Sequence, residues 1–176
     1  RYDAREYFFF FFDDIVLYFG AQHLDDKRKG FSYLLAALKV LNESLSKEEM
    51  ARICLFTIGS GNPIKQYDFL FKHIHLPFIA DQKLFSVTYA AADVFICPSI
   101  EDSGPMMVNE SMMSGTPVIA FDLGVAKDLV ISGETGYKLS EINSSELASA
   151  LATFVRLSDE KRLHMRIAQP PSACPV

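Results

Sequence analysis

The sequence predicts a doubly wound α/β domain: a mostly parallel, Rossmann-like sheet of six strands with helices on both faces. Apolar runs of strand length recur along the chain, and amphipathic helical patterns separate several of them. With 176 residues, 49% of them hydrophobic and 22% charged, the chain is long enough to bury one real core. Strands that are apolar on both faces belong in a sheet covered by helices, since neither side meets water.

The strand candidates are "DIVLYFGA" (14–21), "ICLFTIG" (53–59), "IHLPFI" (74–79), "DVFICPS" (93–99), "PVIAFD" (117–122) and, more weakly, "GYKLS" (136–140). Helical spacing marks "GFSYLLAALKVLNESL" (30–45), "QKLFSVTYAAA" (82–92), "MMVNESMMS" (106–114) and "SSELASALATFVRL" (144–157). These elements place the domain at residues 14–168. An aromatic segment or linker (1–13) precedes it and an irregular tail (169–176) follows, where two prolines end the last helix. The run "YFFFFF" (7–12) is apolar on both faces if read as a strand. Packing against this domain or a partner domain is the favoured reading of that run, ahead of dimer contacts and membrane-surface anchoring. Oligomeric state is not legible.

Composition excludes several classes. A net charge of −5 argues against a broad nucleic-acid surface. No apolar run approaches the roughly 20 residues of a membrane span, and no signal-peptide pattern is present. Cys54, Cys97 and Cys174 have no metal-ligand spacing and read as reduced residues of a cytoplasmic protein. Starting at Arg1 rather than Met, the chain reads as part of something longer.

Ligands of such sheets bind at the carboxyl ends of the strands. The first strand leads into "GAQHLDDKRKG", where Lys27, Arg28 and Lys29 precede a helix opening at Gly30. Cations beside a helix N-terminus favour an anion between them; a solvated loop balanced by Asp25 and Asp26 is the alternative. "GSGNP" after the second strand is ordinary turn chemistry that also lets backbone approach a ligand. After the fourth strand comes "EDSGPMMVNESMMSG" (101–115). A helix starting near Met106, with Pro105 suited to its entry, offers free N–H groups to an anion. Asp102 and Glu110 then flank one small polar ligand; otherwise Asp102 or Ser103 caps the helix and Glu110 is a surface charge. Met106, Met107, Met112 and Met113 read as core filler rather than a ligand surface.

The stretch "PSIEDSGPMMVNESMMSGTPVIAFD" resembles the Glu, seven residues, Glu motif and the following Gly-Thr-Pro-Val strand of retaining family 4 (group 1) glycosyltransferases, which have the GT-B fold. "VLYFGAQHLDDKRKGFSYLLAAL", "YAAADVFICPS" and "GETGYKL" are similar to other segments of that family in the same order, over residues 14–165. The resemblance implies the C-terminal, donor-binding half of a transferase that moves sugar from a nucleoside diphosphate sugar to a glycan or lipid-linked acceptor, with retention, in polysaccharide biosynthesis.

Carried over by position, Glu110 holds the ribose hydroxyls, Asp102 lies against the donor sugar, and Arg28 and Lys29 hold the diphosphate. Gly20, Gly59, Glu101, Ser103, Gly104, Pro105, Met106 and Met107 complete the donor-binding set. The first acidic position is Asp rather than Glu, with Glu101 beside it; the phosphate loop is longer than the common form; and a family Gly-Gly pair reads Gly124-Val125.

No metal and no other cofactor is expected, because the basic loop and helix start do the work of a divalent cation. The resemblance further implies a separate N-terminal acceptor domain, inactivity of this chain alone, and peripheral association of the whole enzyme with the inner face of the membrane. The alternatives are a related nucleotide-sugar enzyme such as a 2-epimerase, for which His23, His73 and His75 would be the acid and base candidates, and a non-catalytic α/β binding module.

Overall fold

In a computed structural model, which describes residues 1–61, 64, 67–101 and 106–169, six strands form a wholly parallel sheet. They are β1 (Ile15–His23), β2 (Ile53–Ser60), β3 (Lys72–Leu76), β4 (Val94–Cys97), β5 (Val118–Phe121) and β6 (Gly136–Leu139). The helices are α1 (Tyr2–Tyr7), α2 (Phe31–Ser44), α3 (Lys47–Ala51), α4 (Gln82–Ala91), α5 (Met106–Met113), α6 (Gly124–Leu129), α7 (Ser144–Val155) and α8 (Asp159–Ile167). The spatial order β3-β2-β1-β4-β5-β6 reverses direction between β1 and β4. That reversal leaves a crevice outside the carboxyl ends of those two strands.

The two-residue period of β1 divides the core in two. Ile15, Leu17 and Phe19 join Leu34, Leu38 and Leu41 of α2 and Leu147, Leu151 and Phe154 of α7 on one face. Val16 and Tyr18 join Phe56, Tyr89 of α4, and Val108 and Met112 of α5 on the other. Each buried side chain of this size contributes about 1.5–3 kcal/mol relative to exposure, which is why the central strands are apolar at successive positions.

The six strands lie where the apolar runs predict them, with β3 displaced. It begins at Lys72, two residues ahead of the expected run, and ends at Leu76, before Pro77. Proline offers no N–H to a ladder. α3 and α8 go unread by periodicity because both are short and strongly charged, although their caps are visible. Ser46 and Glu49 form a reciprocal capping box, and Ser158 accepts from Lys161 N.

The aromatic run is not a strand. α1 ends at Tyr7, Phe9 turns the chain at φ 58°, and Phe8 and Phe10 pack on the Phe56 ring with centroids 5.1 Å away. Phe9, Phe11 and Phe12 are 83%, 67% and 82% exposed. The segment therefore packs on this domain through two of its five phenylalanines. It sits at the amino end of the sheet, fastened by buried charge. Asp93 Oδ2 accepts from Val16 N at 2.8 Å and from Arg5 Nη1 at 3.0 Å, and Arg1 joins through the other oxygen. Arg5 also donates to the carbonyls of Phe11 and Asp14 at 2.8 and 2.7 Å.

No described helix is long and apolar enough to cross a membrane.

Candidate functional site

A cavity of about 230 Å³ lies beyond the carboxyl ends of β1 and β4. Gly20 and Phe19 of β1 form one wall, Phe95 to Cys97 of β4 with Pro98 and Ser99 another, and Lys29, Met106 and Met107 close it. Two loops must meet to build it. Ile100 N donates to the carbonyl of Arg28 at 2.9 Å. Gly30, at φ 70°, lies so near the other loop that a Cβ there would sit 1.7 Å from the Pro98 carbonyl oxygen. Any side chain at Gly30 would force the loops apart. Gly20 is constrained from the side, since a Cβ would come within 2.7 Å of the Tyr18 hydroxyl and 2.8 Å of the Met107 methyl.

Lys27–Lys29 form one turn of 3-10 helix capped by Asp26, which accepts from Arg28 N at 3.0 Å. The Arg28 guanidinium grips the same carboxylate through Nε at 3.2 Å and Nη2 at 2.8 Å. These contacts, the Arg28 side chain foremost, hold the Asp26 carboxyl below its usual range. The two members of the basic pair are thus placed differently: Lys29 lines the cavity, while Arg28 is turned onto Asp26 at the exposed rim. Exposed pairs of this kind are weak, so a bound anion can compete for Arg28.

α5 begins at Met106, which with Met107 lines the same cavity. Its first N–H groups have no partner within the helix and direct partial positive charge outward. Met112 is core, as the composition suggested, but Met106 is 72% exposed at the cavity mouth and Met113 is 46% exposed, so the core reading fails for those two. Glu110, half-buried, lies one turn further along α5, and its Oε2 accepts from the Tyr89 hydroxyl at 3.0 Å. Burial first, then the neighbouring Tyr18 and Glu110, push the Tyr89 phenol far up, so it stays protonated. Tyr18, fully buried beside it, is likewise raised by desolvation. Among the described residues its hydroxyl has no hydrogen-bond partner at normal geometry: Thr88, which faces it, donates its own proton to the Phe85 carbonyl at 2.6 Å.

The structure brings together Gly20, Lys29, Met106 and Met107, whereas Arg28 and Glu110 do not line the cavity: Arg28 is the chain neighbour of Lys29, and Glu110 follows Met106 and Met107 on α5. Glu101 is exposed beyond the β4 end. Asp102, Ser103, Gly104 and Pro105 lie outside the described residues, as does Cys174. Gly59 does not line the cavity; its φ of 151° and a would-be Cβ 2.0 Å from the Ala21 carbonyl show that it is needed for close approach to β1. His73 and His75 sit on the edge strand β3, where both rings share the Thr57 hydroxyl at 2.8 and 3.0 Å. His23 is exposed and lines no part of the cavity.

Sequence reasoning missed Cys97, Pro98, Ser99, Gly30 as the loop clasp, and Tyr89. The first three close the apolar run 93–99 at the carboxyl end of β4, the position that topology could have flagged. Tyr89 looks like core and carries no signal of its own. Among the described residues no group of three or more His, Cys, Asp or Glu could hold a metal ion.

Comparison with known proteins bears on the fold and the family. The chain is 32% identical over 146 residues to a phosphatidyl-myo-inositol mannosyltransferase of Mycobacterium leprae, covering 80% of this chain and 37% of that one. A D-inositol 3-phosphate glycosyltransferase of Thermomonospora curvata is 36% identical over 87 residues, 49% of this chain and 20% of its own. The chain therefore spans well under half the length of these curated relatives. Among solved structures, sucrose-phosphate synthase from Thermosynechococcus elongatus superposes with a TM-score of 0.76 at 22% identity, covering 96% of this chain and 43% of that one. The C-terminal domain of a group 1 glycosyl transferase from Francisella tularensis gives 0.68 at 22% identity, covering 86% and 79%. Both likenesses establish the shared fold. The family model for glycosyl transferases group 1 matches residues 13–156, and with most of its length inside that match the chain belongs to this family.

Proposed function

We propose that this chain binds a nucleoside diphosphate sugar at the β1/β4 crevice and supplies the donor side of a glycosyl transfer. One observation carries the reading: Lys29 and the start of α5 line the same cavity, at the point where the strand order reverses. A diphosphate placed there meets both the Lys29 cation and helix N–H groups. Arg28 reaches the same charge once it leaves Asp26. The donor's glycosidic bond breaks toward an oxocarbenium-like sugar while negative charge accumulates on the departing diphosphate. Cations and dipoles aimed at that diphosphate therefore stabilise the transition state more than the ground state. Glu110 accepts hydrogen bonds from the vicinal ribose hydroxyls, and Asp102, with Glu101 beside it, addresses the sugar.

In this role the site needs no divalent metal. The acceptor, a glycan or a lipid-linked molecule, is held by a second domain, since transfer requires an acceptor hydroxyl fixed at near-attack distance. The name of the M. leprae relative, a phosphatidyl-myo-inositol mannosyltransferase, supports a lipid-linked acceptor, and with such an acceptor the whole enzyme would associate peripherally with the inner face of the membrane.

Isothermal titration with UDP, GDP and ADP tests the reading. At least one should bind as well in EDTA as in magnesium, and Glu110→Gln should weaken it by about 1–3 kcal/mol with the melting temperature retained. Binding that depends strictly on added magnesium, or no binding of any of the three, would reject it.

A further inference from the structure

Among the described residues the Tyr89 hydroxyl has one partner, the Glu110 carboxylate, and the packing around Tyr89 keeps it there. Its ring is fully buried. It is held edge-on by Tyr18, Phe85 and Phe95, with centroids 5.3, 5.4 and 5.6 Å away. Its backbone is pinned as well, because Thr116 Oγ1 donates to the Tyr89 carbonyl at 2.6 Å. A ring locked on three sides can place its hydroxyl in one position only, and in that position it donates to Glu110 Oε2 at 3.0 Å.

Glu110 by itself is poorly restrained. It projects half-buried from an eight-residue helix, and its side chain has several rotatable bonds whose freezing costs roughly 1.5–2 kcal/mol. Taking one carboxylate oxygen fixes the group and leaves the other, Oε1, without a hydrogen bond to the described residues. The buried phenol cannot swap this bond for water, and it stays protonated, so the donation is permanent.

We infer that Tyr89 is a positioning residue: it holds Glu110 in the orientation that accepts the hydroxyls of a ribose, with Oε2 occupied by the protein and Oε1 presented to the ligand. The inference rests on the proposed role of Glu110 in nucleotide binding. It separates a residue of the apolar core from its surroundings by function, and it makes the core beneath α5 part of the recognition of the sugar.

The test compares UDP, GDP and ADP with their 2′,3′-dideoxy counterparts in calorimetry, on the wild-type chain and on Tyr89→Phe, which keeps the ring and removes only the donor. Tyr89→Phe should weaken the best ribonucleotide by about five- to tenfold and leave its dideoxy counterpart within about twofold, collapsing the discrimination between them. Thr135→Val is the control: it breaks the hydrogen bonds of a buried threonine to Ile131 N and the Leu129 carbonyl, which touch neither Tyr89 nor Glu110, should lower the melting temperature, and should leave the discrimination intact. In a Glu110→Gln background the Tyr89 change should have little further effect. Should Tyr89→Phe weaken ribo and dideoxy ligands alike, or weaken neither while Glu110→Gln weakens the ribonucleotide, the positioning role is overturned and the binding reading stands. Should Glu110→Gln itself leave the ribonucleotide unaffected, the role of Glu110 falls and this inference with it. If Tyr89→Phe proves unstable, Glu110→Asp, which draws the carboxylate back from a wild-type Tyr89, should reduce the discrimination in the same way; unchanged discrimination there also overturns the proposal.

Discussion

The two ends of the sheet are built from the same strands and differ in what they do with charge. At the amino end Asp93, Arg5 and Asp14 are each less than a tenth exposed: Asp93 accepts from Arg5 and from Val16 N, Arg5 also donates to backbone carbonyls, and the Asp14 carboxylate accepts from Phe11 N. Lys72 adds a bond to Asp14 at 3.2 Å, and Arg166 closes the α4 carboxyl terminus by donating to the Ala92 carbonyl at 2.6 Å. Desolvation there lowers the Arg166 pKa to about 10. At the carboxyl end the charges are Lys29 at a cavity wall, Arg28 at an exposed rim and Glu110 held by one oxygen. The first arrangement uses charge to fix a fold. The second keeps charge near the surface, where a ligand can recruit it at small cost.

This contrast can be broken most forcefully at Asp93. Asp93→Ala strands the buried Arg5 guanidinium and the Val16 N–H, and should cost about 3–5 kcal/mol in urea denaturation while nucleotide affinity of the folded fraction holds. A loss below about 1 kcal/mol would mean that the amino-end network is decorative.

At the other end the prediction inverts. Lys29→Ala should leave stability within about 0.5 kcal/mol and weaken nucleoside diphosphate binding about tenfold by calorimetry. Affinity that does not change would take Lys29 out of the site.

A smaller effect belongs to the edge strand, between the two ends. Burial foremost, then the neighbouring His75, holds His73 to about 4 against an ordinary 6.5. The unfolded chain therefore takes up the proton first. The stability contributed by neutral His73 is complete above 6.5 and is lost as pH falls toward 4. His73→Gln should flatten melting temperature against pH across that window. Since His73 is only half-buried, the change should be modest, and an identical acid slope in the variant would assign the loss to other groups.

How much could be read in advance varies by element. β1, β2, β4 and β5 announce themselves because strands buried on both faces need successive apolar residues. β3 is half-buried at an edge, and its pattern "KHIHL" is correspondingly weak. The aromatic run reads as a double-faced strand, yet Phe9 at φ 58° turns the chain and divides the phenylalanines between core and solvent. Nothing local to five identical residues says which of them the Phe56 ring will receive.

By itself the sequence determined the α/β class, the loops in which chemistry could reside, and the residue types for an anionic ligand. All of these follow from patterns along the chain: hydrophobic period, glycine and proline at turns, cations before a helix start. The tertiary structure alone decided that Lys29 rather than Arg28 faces the cavity, that Gly59 serves packing, and that Tyr89 reaches Glu110 across 21 residues of chain. Those outcomes depend on which distant atoms arrive at the same place. Strand order and helix packing set that arrival, and no local pattern encodes it.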